Sequence, residues 1–485
     1  MAAFPVVAAL PFSAGCTDEG EVHVVFVHGV ASGDPLPDAL IIWTRVSTAA
    51  APVDVTWEVS SDDFATVAAS GTFTTDEGRD YTVKVDVTGL APATAYEYRF
   101  TALGETSVVG HAKTPAAGAL DAARLAVVSC SSYAHGYFHA YRALAAEDLD
   151  AVVHLGDYIY EYGDGEYGDV RTYQPPHEIV SLADYRTRYG YYRLDADLQA
   201  VHAAHPFITV WDDHELCDNT WSGGGLNHQP EEGDFAARKA AAAQAYREWM
   251  PIREQADGRI FRRLAFGDLV ELFMLDTRLF GRDQQADEGG PPLDDPARTL
   301  LGAEQEAWLA AGLPASAARW KLVGQQVMMG QLPQFLNYDA WDGYPAARTR
   351  FFDLLETNQV GNVVVLTGDI HTSWAMDLTR DPEDTALYDP ATGRGSLAVE
   401  LVVPAVTSPG LTKALSDGVL NLVKDNRHLR FADVYRPGFV VLDVDRTRVQ
   451  ASFHHWEDVW EPERPDAVVS ATLEVRDGVP TLVKL

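Results

Sequence analysis

The chain has 485 residues, 47% of them apolar, with 38 glycines and 26 prolines; this predicts a soluble globular protein of two domains and excludes a collagenous or disordered chain. Lys plus Arg number 37 against 71 Asp plus Glu, a formal net charge of −34. Such a field repels polyanions, which excludes unassisted binding to nucleic acid or an anionic membrane surface.

A phosphate-bearing substrate would therefore need bound cations to attract it locally. Three cysteines, Cys16, Cys130 and Cys217, are too few for a disulfide framework. No stretch approaches the roughly 20 apolar residues of a spanning helix. Residues 2–16 resemble the apolar region and cleavage box of an exported lipoprotein, without the basic start such a leader carries. An exported leader is expected over residues 1–21, with the mature protein periplasmic, extracellular or lipid-anchored to the cell envelope through Cys16.

Residues 22–117 read as an all-β module, expected to be structural and to wall one side of the active site. Segments 24–27, 39–46, 53–60, 68–74, 81–87 and 95–101 are strand-like, with turn signals at Gly33-Asp34-Pro35 and Thr75-Asp76-Glu77-Gly78. Short strands at this spacing predict a small sandwich, and residues 88–98 look like the close of a fibronectin type III-like domain. Thr114-Pro115-Ala116-Ala117-Gly118 reads as a linker. Over residues 118–485, apolar runs at 125–128, 151–153, 207–210, 269–275, 322–328, 363–366, 397–403 and 439–444 alternate with helical stretches at 137–147, 235–249, 303–313 and 346–358. Strands so numerous, separated by helices, predict a layered α/β domain.

Four of those runs break at once into metal-binding residue types. They end in Cys130, in Gly156-Asp157-Tyr158-Ile159-Tyr160, in Asp212-Asp213-His214-Glu215 and in Gly368-Asp369-Ile370-His371. Sites in α/β sheets form beyond the carboxyl ends of strands, so these residues are expected to converge on one metal centre. Asp157 and Tyr160 sit about one turn apart, and a phenolate suits a hard trivalent ion such as iron(III). Asp369 and His371 are two apart and lie on one side if extended. Asp213 and His214 point apart if extended, one towards metal and one towards substrate, with Asp212 and Glu215 as candidates for orienting the histidine. Taken alone, a Gly-Asp pair is usually a turn and a free Cys usually a small buried hydrophobe. Their convergence makes Cys130 a candidate thiolate ligand; a disulfide with Cys217 would destroy it.

In order, Gly-Asp-x-x-Tyr, Asp-Asp-His-Glu and Gly-Asp-x-His resemble the metallophosphoesterase signature. The closer resemblance is to the alkaline phosphatase D family, through Ala31-Ser32-Gly33-Asp34-Pro35, Trp43-Thr44-Arg45, Cys130, Leu155 to Glu161, Trp211 to Glu215, Asp276-Thr277-Arg278, Trp341-Asp342-Gly343-Tyr344 and Gly368 to His371. That resemblance implies a core of two packed mixed sheets flanked by helices, behind an N-terminal β-sandwich. It implies an exported phosphomonoesterase, with phosphodiesterase activity, holding iron(III) and calcium. By position, Cys130, Asp157, Tyr160 and His371 would hold iron, and Asp157, Asp213 and Asp369 calcium. Asn219 would add an oxygen. Zinc or manganese are the alternative ions. His214 is expected to orient the phosphate or protonate the leaving group, and Arg278 is a further candidate for contacting the substrate. The expected partner is a small phosphate ester, met by a monomeric enzyme. Rival readings are a phospholipase or diesterase acting on lipid head groups, a non-hydrolytic metal or phosphate binder, and an oxidoreductase use of the iron.

Overall fold

A computed structural model describes residues 25–49 and 52–485. The expected leader and Cys16 lie outside these residues. The runs rich in Val, Ile and Leu form strands because β-branched side chains pack well on a pleated, doubly covered surface. Strands Ala122–Val128, Ala151–His154 and Pro206–Thr209 run parallel, with His154 opposite Val128 on one side and Thr209 on the other. Their carboxyl ends therefore lie level. In a second sheet, Val270–Met274, Trp320–Gln325, Val363–Thr367 and Ser396–Val402 are also parallel, with Thr367 opposite both Gln325 and Val402.

The first sheet has ten strands, and its far end is antiparallel, built from Gly438–Asp445, Arg448–His455, Val468–Arg476 and Val479–Lys484. The second has seven. One apolar core, including Leu125, Val152, Ile208, Leu272, Leu322 and Val364, lies between them. A second core, with Phe273, Trp341, Phe351 and Leu355, fills the other face of the seven-stranded sheet under helices Gly302–Ala315 and Pro345–Thr357. Each fully buried Leu, Ile or Val contributes about 1.5–3 kcal/mol relative to exposure.

The N-terminal region has two layers around its own core of Leu40, Ile42, Val55, Tyr98 and Phe100. One layer is the small sheet of Val53–Ser60, Ala69–Thr75, Ala95–Ala102, Glu105–Thr106 and Gly110–Lys113. The other layer belongs to the ten-stranded sheet. Val30–Leu36 pairs in parallel with Pro206–Thr209, and Ala39–Arg45 and Thr82–Thr88 follow it outward. The expected strand at 24–27 is not seen in its described residues, where 25–28 form a turn and the strand starts at Val30. The expected turn at Gly33-Asp34-Pro35 lies inside that strand, at a bulge. Tertiary contacts override its turn chemistry: the buried Asp34 accepts from Arg262 Nε at 2.9 Å and from the Arg253 backbone N–H at 2.7 Å.

Candidate metal centre

The four predicted strand ends meet. The three strands of the first sheet supply Cys130, Asp157 to Tyr160 and Asp212 to His214; Val363–Thr367 of the second supplies Asp369 and His371. The close approach depends on two glycines. A Cβ on Gly156, whose φ is +107°, would sit 2.5 Å from both Cβ and N of Asp212, and one on Gly368 would sit 2.9 Å from Ser129 Cβ. Each Gly-Asp pair thus lets one strand end nest against its neighbour. Cys130, Asp157, Asp369 and His371 all take positive φ, between 56° and 68°. Left-handed backbone costs an L-residue about 1–2 kcal/mol. Four such residues in one place mark a functional constraint.

Three overlapping donor sets result. Single ligand atoms of Cys130, Asp157 and His371 lie within 4.8 Å of one another, as do those of Asp157, Asp213 and His214, and those of Asp212, Asp213 and Asp369. The Tyr160 hydroxyl joins the first set, donating to Asp157 Oδ2 at 3.0 Å and lying 3.2 Å from His371 Nε2. Asn219 touches the centre through its backbone, its N–H donating to Asp213 Oδ2 at 2.7 Å.

Charge at the centre is unbalanced. Arg278, wholly buried, donates to Asp212 at 2.5 Å and to Asp339 and Asp369 at 2.6 Å, and stands 3.6 Å from Asp213. One guanidinium cannot hold this many buried carboxylates ionised. Burial pushes Asp212 and Asp369 well above the usual carboxylate range despite Arg278. Asp213 is held low: burial opposes it, but Arg278, His214 and the Asn219 N–H outweigh burial. Burial, followed by the Asp157 carboxylate, drives both the Cys130 thiol and the Tyr160 phenol well above their ordinary values. Asp212 Oδ2 is buried with no hydrogen-bond partner. Such a pit of acid, thiol and phenol fits cations, whose charge would reverse each of the upward shifts.

His214 is held from behind. Its Nδ1 lies 2.7 Å from Glu161 Oε2, and its ring stacks on Tyr160 at 4.3 Å. The expectation that Asp212 or Glu215 orients it is corrected. Glu215 instead accepts from the backbone N–H groups of Asp157, Tyr158 and Asp212 at 2.8–3.0 Å, tying two strand ends together, and Asp212 is committed to Arg278. Burial opposes charging of His214, but Glu161, Asp213 and Asp157 outweigh it and raise its pKa well above the usual value. Glu161 carries a role that the sequence signalled only by its place at the end of the Leu155 to Glu161 motif. Asp339, which braces Arg278 and also accepts from Arg282 at 2.6 Å, had no signal at all. Cys130 and Cys217 are both buried free thiols.

Two sheets that deliver carboxylates, imidazoles, a thiol and a phenol to one acidic pit define a metal-dependent phosphoester hydrolase of the metallophosphoesterase type. The chain belongs to the PhoD-like phosphatase family, whose model matches residues 125–453, while the model of the PhoD-like phosphatase N-terminal domain matches residues 13–116. It is 39% identical over 471 residues to alkaline phosphatase D of Bacillus subtilis (strain 168), covering 90% of this chain and 78% of that protein. A solved structure of PhoD superposes with a TM-score of 0.88 at 36% identity, covering 96% of this chain and 93% of that one. No helix among the described residues is long and apolar enough to cross a membrane.

Proposed function

We propose that this phosphoester hydrolase holds iron(III) with Cys130, Asp157, Tyr160 and His371, and calcium with Asp157, Asp213 and Asp369, Asn219 offering a further oxygen. The observation that carries this reading is the thiol, carboxylate and imidazole donors of Cys130, Asp157 and His371 within 4.8 Å of one another, with the Tyr160 phenol against two of them. The phenolate and the carboxylates are hard donors that suit a trivalent iron, while the thiolate and imidazole beside them are compatible with iron or zinc. When bound, such ions neutralise phosphoryl oxygens and acidify water.

The chain's own residues do the rest. His214, with Nδ1 engaged by Glu161, leaves Nε2 to orient the phosphoryl group or to give a proton to the departing alcohol. Arg278 acts as a positioning residue, because all its nitrogens are spent on Asp212, Asp339 and Asp369. Diester turnover belongs to the same reading. Export is part of the proposal too, resting on residues 2–16 alone.

Metal analysis and a visible spectrum of the purified protein, repeated on Cys130→Ala and Tyr160→Phe, test it. Iron with a charge-transfer band that shifts or vanishes in Tyr160→Phe supports the assignment. A colourless, iron-free protein that hydrolyses phosphoesters with zinc or manganese would sink it.

A further inference from the structure

Beside the metal centre lies a cavity of about 410 Å³ that the hydrolytic groups described above do not use. Residues 407–410 line it, and the same segment faces the centre. Ser408 Oγ donates to the Tyr160 hydroxyl at 2.6 Å, and the Pro409 carbonyl lies 3.2 Å from His371 Nδ1. Cavity and centre share this wall. Elsewhere the lining is largely apolar, with Leu411, Pro437, Val459 and the rings of Tyr435 and Trp460.

The acidic groups at its rim have partners, while Lys413 is held only by a hydroxyl. Lys413 donates to the Tyr435 hydroxyl at 3.3 Å, that hydroxyl donates to Glu457 at 2.8 Å, and Asp458 is paired with Arg464. Apart from Lys413, His135 and Thr412, what remains available is apolar surface. Trp460 keeps 62% of its surface exposed at the cavity's edge. A lone exposed hydrophobe is ordinary; a large aromatic at an apolar cavity against a hydrolytic centre reads as a binding surface.

We propose that this cavity receives the alcohol portion of the phosphoester, and that Trp460 selects substrates whose alcohol is aromatic or similarly flat and apolar. The inference rests on the hydrolase reading of the same centre. With the phosphoryl group drawn to the acidic pit by its cations, an ester's alcohol reaches across the rim formed by Ser408 and Pro409. There an aryl ring removes apolar surface from water, whereas a polyol has little apolar surface to bury. Such a ring on an aromatic side chain also gains from offset stacking.

The test compares kcat/KM for p-nitrophenyl phosphate and glycerol 3-phosphate in the metal-loaded full chain, in the wild type, Trp460→Ala and Trp460→Phe. The ratio of the aryl to the glycerol ester is expected to fall about tenfold in Trp460→Ala, the size of one stacked aromatic contact plus its buried area. Trp460→Phe should retain most of it, and the loss should appear in KM rather than kcat. A ratio unchanged in Trp460→Ala overturns the proposal while leaving the hydrolase reading intact. Absence of turnover of either ester by the metal-loaded wild type would overturn the hydrolase reading itself.

Discussion

The Glu161 carboxylate stands 2.7 Å from Nδ1 of His214, with neither side chain open to more than a trace of solvent. A histidine so held has one free nitrogen, Nε2, and a fixed ring plane. Glu161 also accepts from the backbone N–H of Asp218 at 2.7 Å and from Asn227 at 3.1 Å, so its own orientation is anchored by two further elements.

Replacing Glu161 by Gln keeps a hydrogen-bonding group but removes the charge. We expect kcat to fall about 10- to 100-fold, the usual cost of losing a carboxylate that orients a functional histidine. Thermal unfolding should move little. Steady-state kinetics decide the matter: an unchanged kcat would show that the Glu161 pair does not serve the reaction.

Arg278→Met should be far more damaging to the metal-free protein than to the loaded one. It leaves Asp212, Asp339 and Asp369 without their shared cation, and breaking a buried pair costs about 3–5 kcal/mol. Unfolding curves with and without a chelator should show a wider gap for the variant than for the wild type. Equal gaps would mean that metals and Arg278 do not compensate the same charge.

Gly156→Ala should destabilise the chain and loosen the centre together. The added methyl would lie 2.5 Å from Asp212 in a backbone with φ of +107°, and overpacking of this kind costs about 1–3 kcal/mol before strain is counted. Denaturant midpoints and metal content of the purified variant check both effects. A variant with wild-type metal content would show that the two strand ends need not touch.

Acid should unfold the protein partly through buried imidazoles. Burial depresses His154, wholly inside, and His28 to about 3 from an ordinary value of 6.5; the Arg45 and Arg193 charges add to the effect at His28. Below pH 6.5 the unfolded chain takes up protons that the native chain refuses. Their contribution to stability is thus complete above pH 6.5 and is lost as pH falls towards 3. His154→Gln, which can still bond the Tyr141 hydroxyl now 2.9 Å from His154 Nε2, should flatten the dependence of unfolding free energy between pH 6 and 4 by about one proton. Urea titrations across that range provide the measurement, and an unaltered slope would count against His154 as a source.

The strands and the centre were legible because their signals are local. Hydrophobic runs found nearly every strand of the parallel layers, and the helix at 235–249 is observed as Phe235–Trp249. What escaped is non-local. Gly33-Asp34-Pro35 has turn chemistry, yet Arg262 captures Asp34 from 228 positions away. Asp339 reaches Arg278 across 61 positions from just outside the Trp341 to Tyr344 motif, which does not include it. The antiparallel strand Arg448–His455 alternates buried with half-buried or exposed side chains, and Val468–Arg476 mixes all three, a weaker pattern than the continuous runs beside the centre.

The parallel pairing of Val30–Leu36 with Pro206–Thr209 bears on how the chain can be cut. The strand before Asp212-Asp213-His214 borrows its outer neighbour from residues far earlier in the chain, and Trp43 further pins that layer by donating to the Glu248 carbonyl at 2.8 Å. A fragment starting at residue 118 would leave Pro206–Thr209 as an unpaired edge, with bare N–H and C=O groups ready to recruit another copy. Such a fragment should come out of cells as aggregate, so the module that begins with Val30–Leu36 belongs in any version of the enzyme meant to be handled in solution.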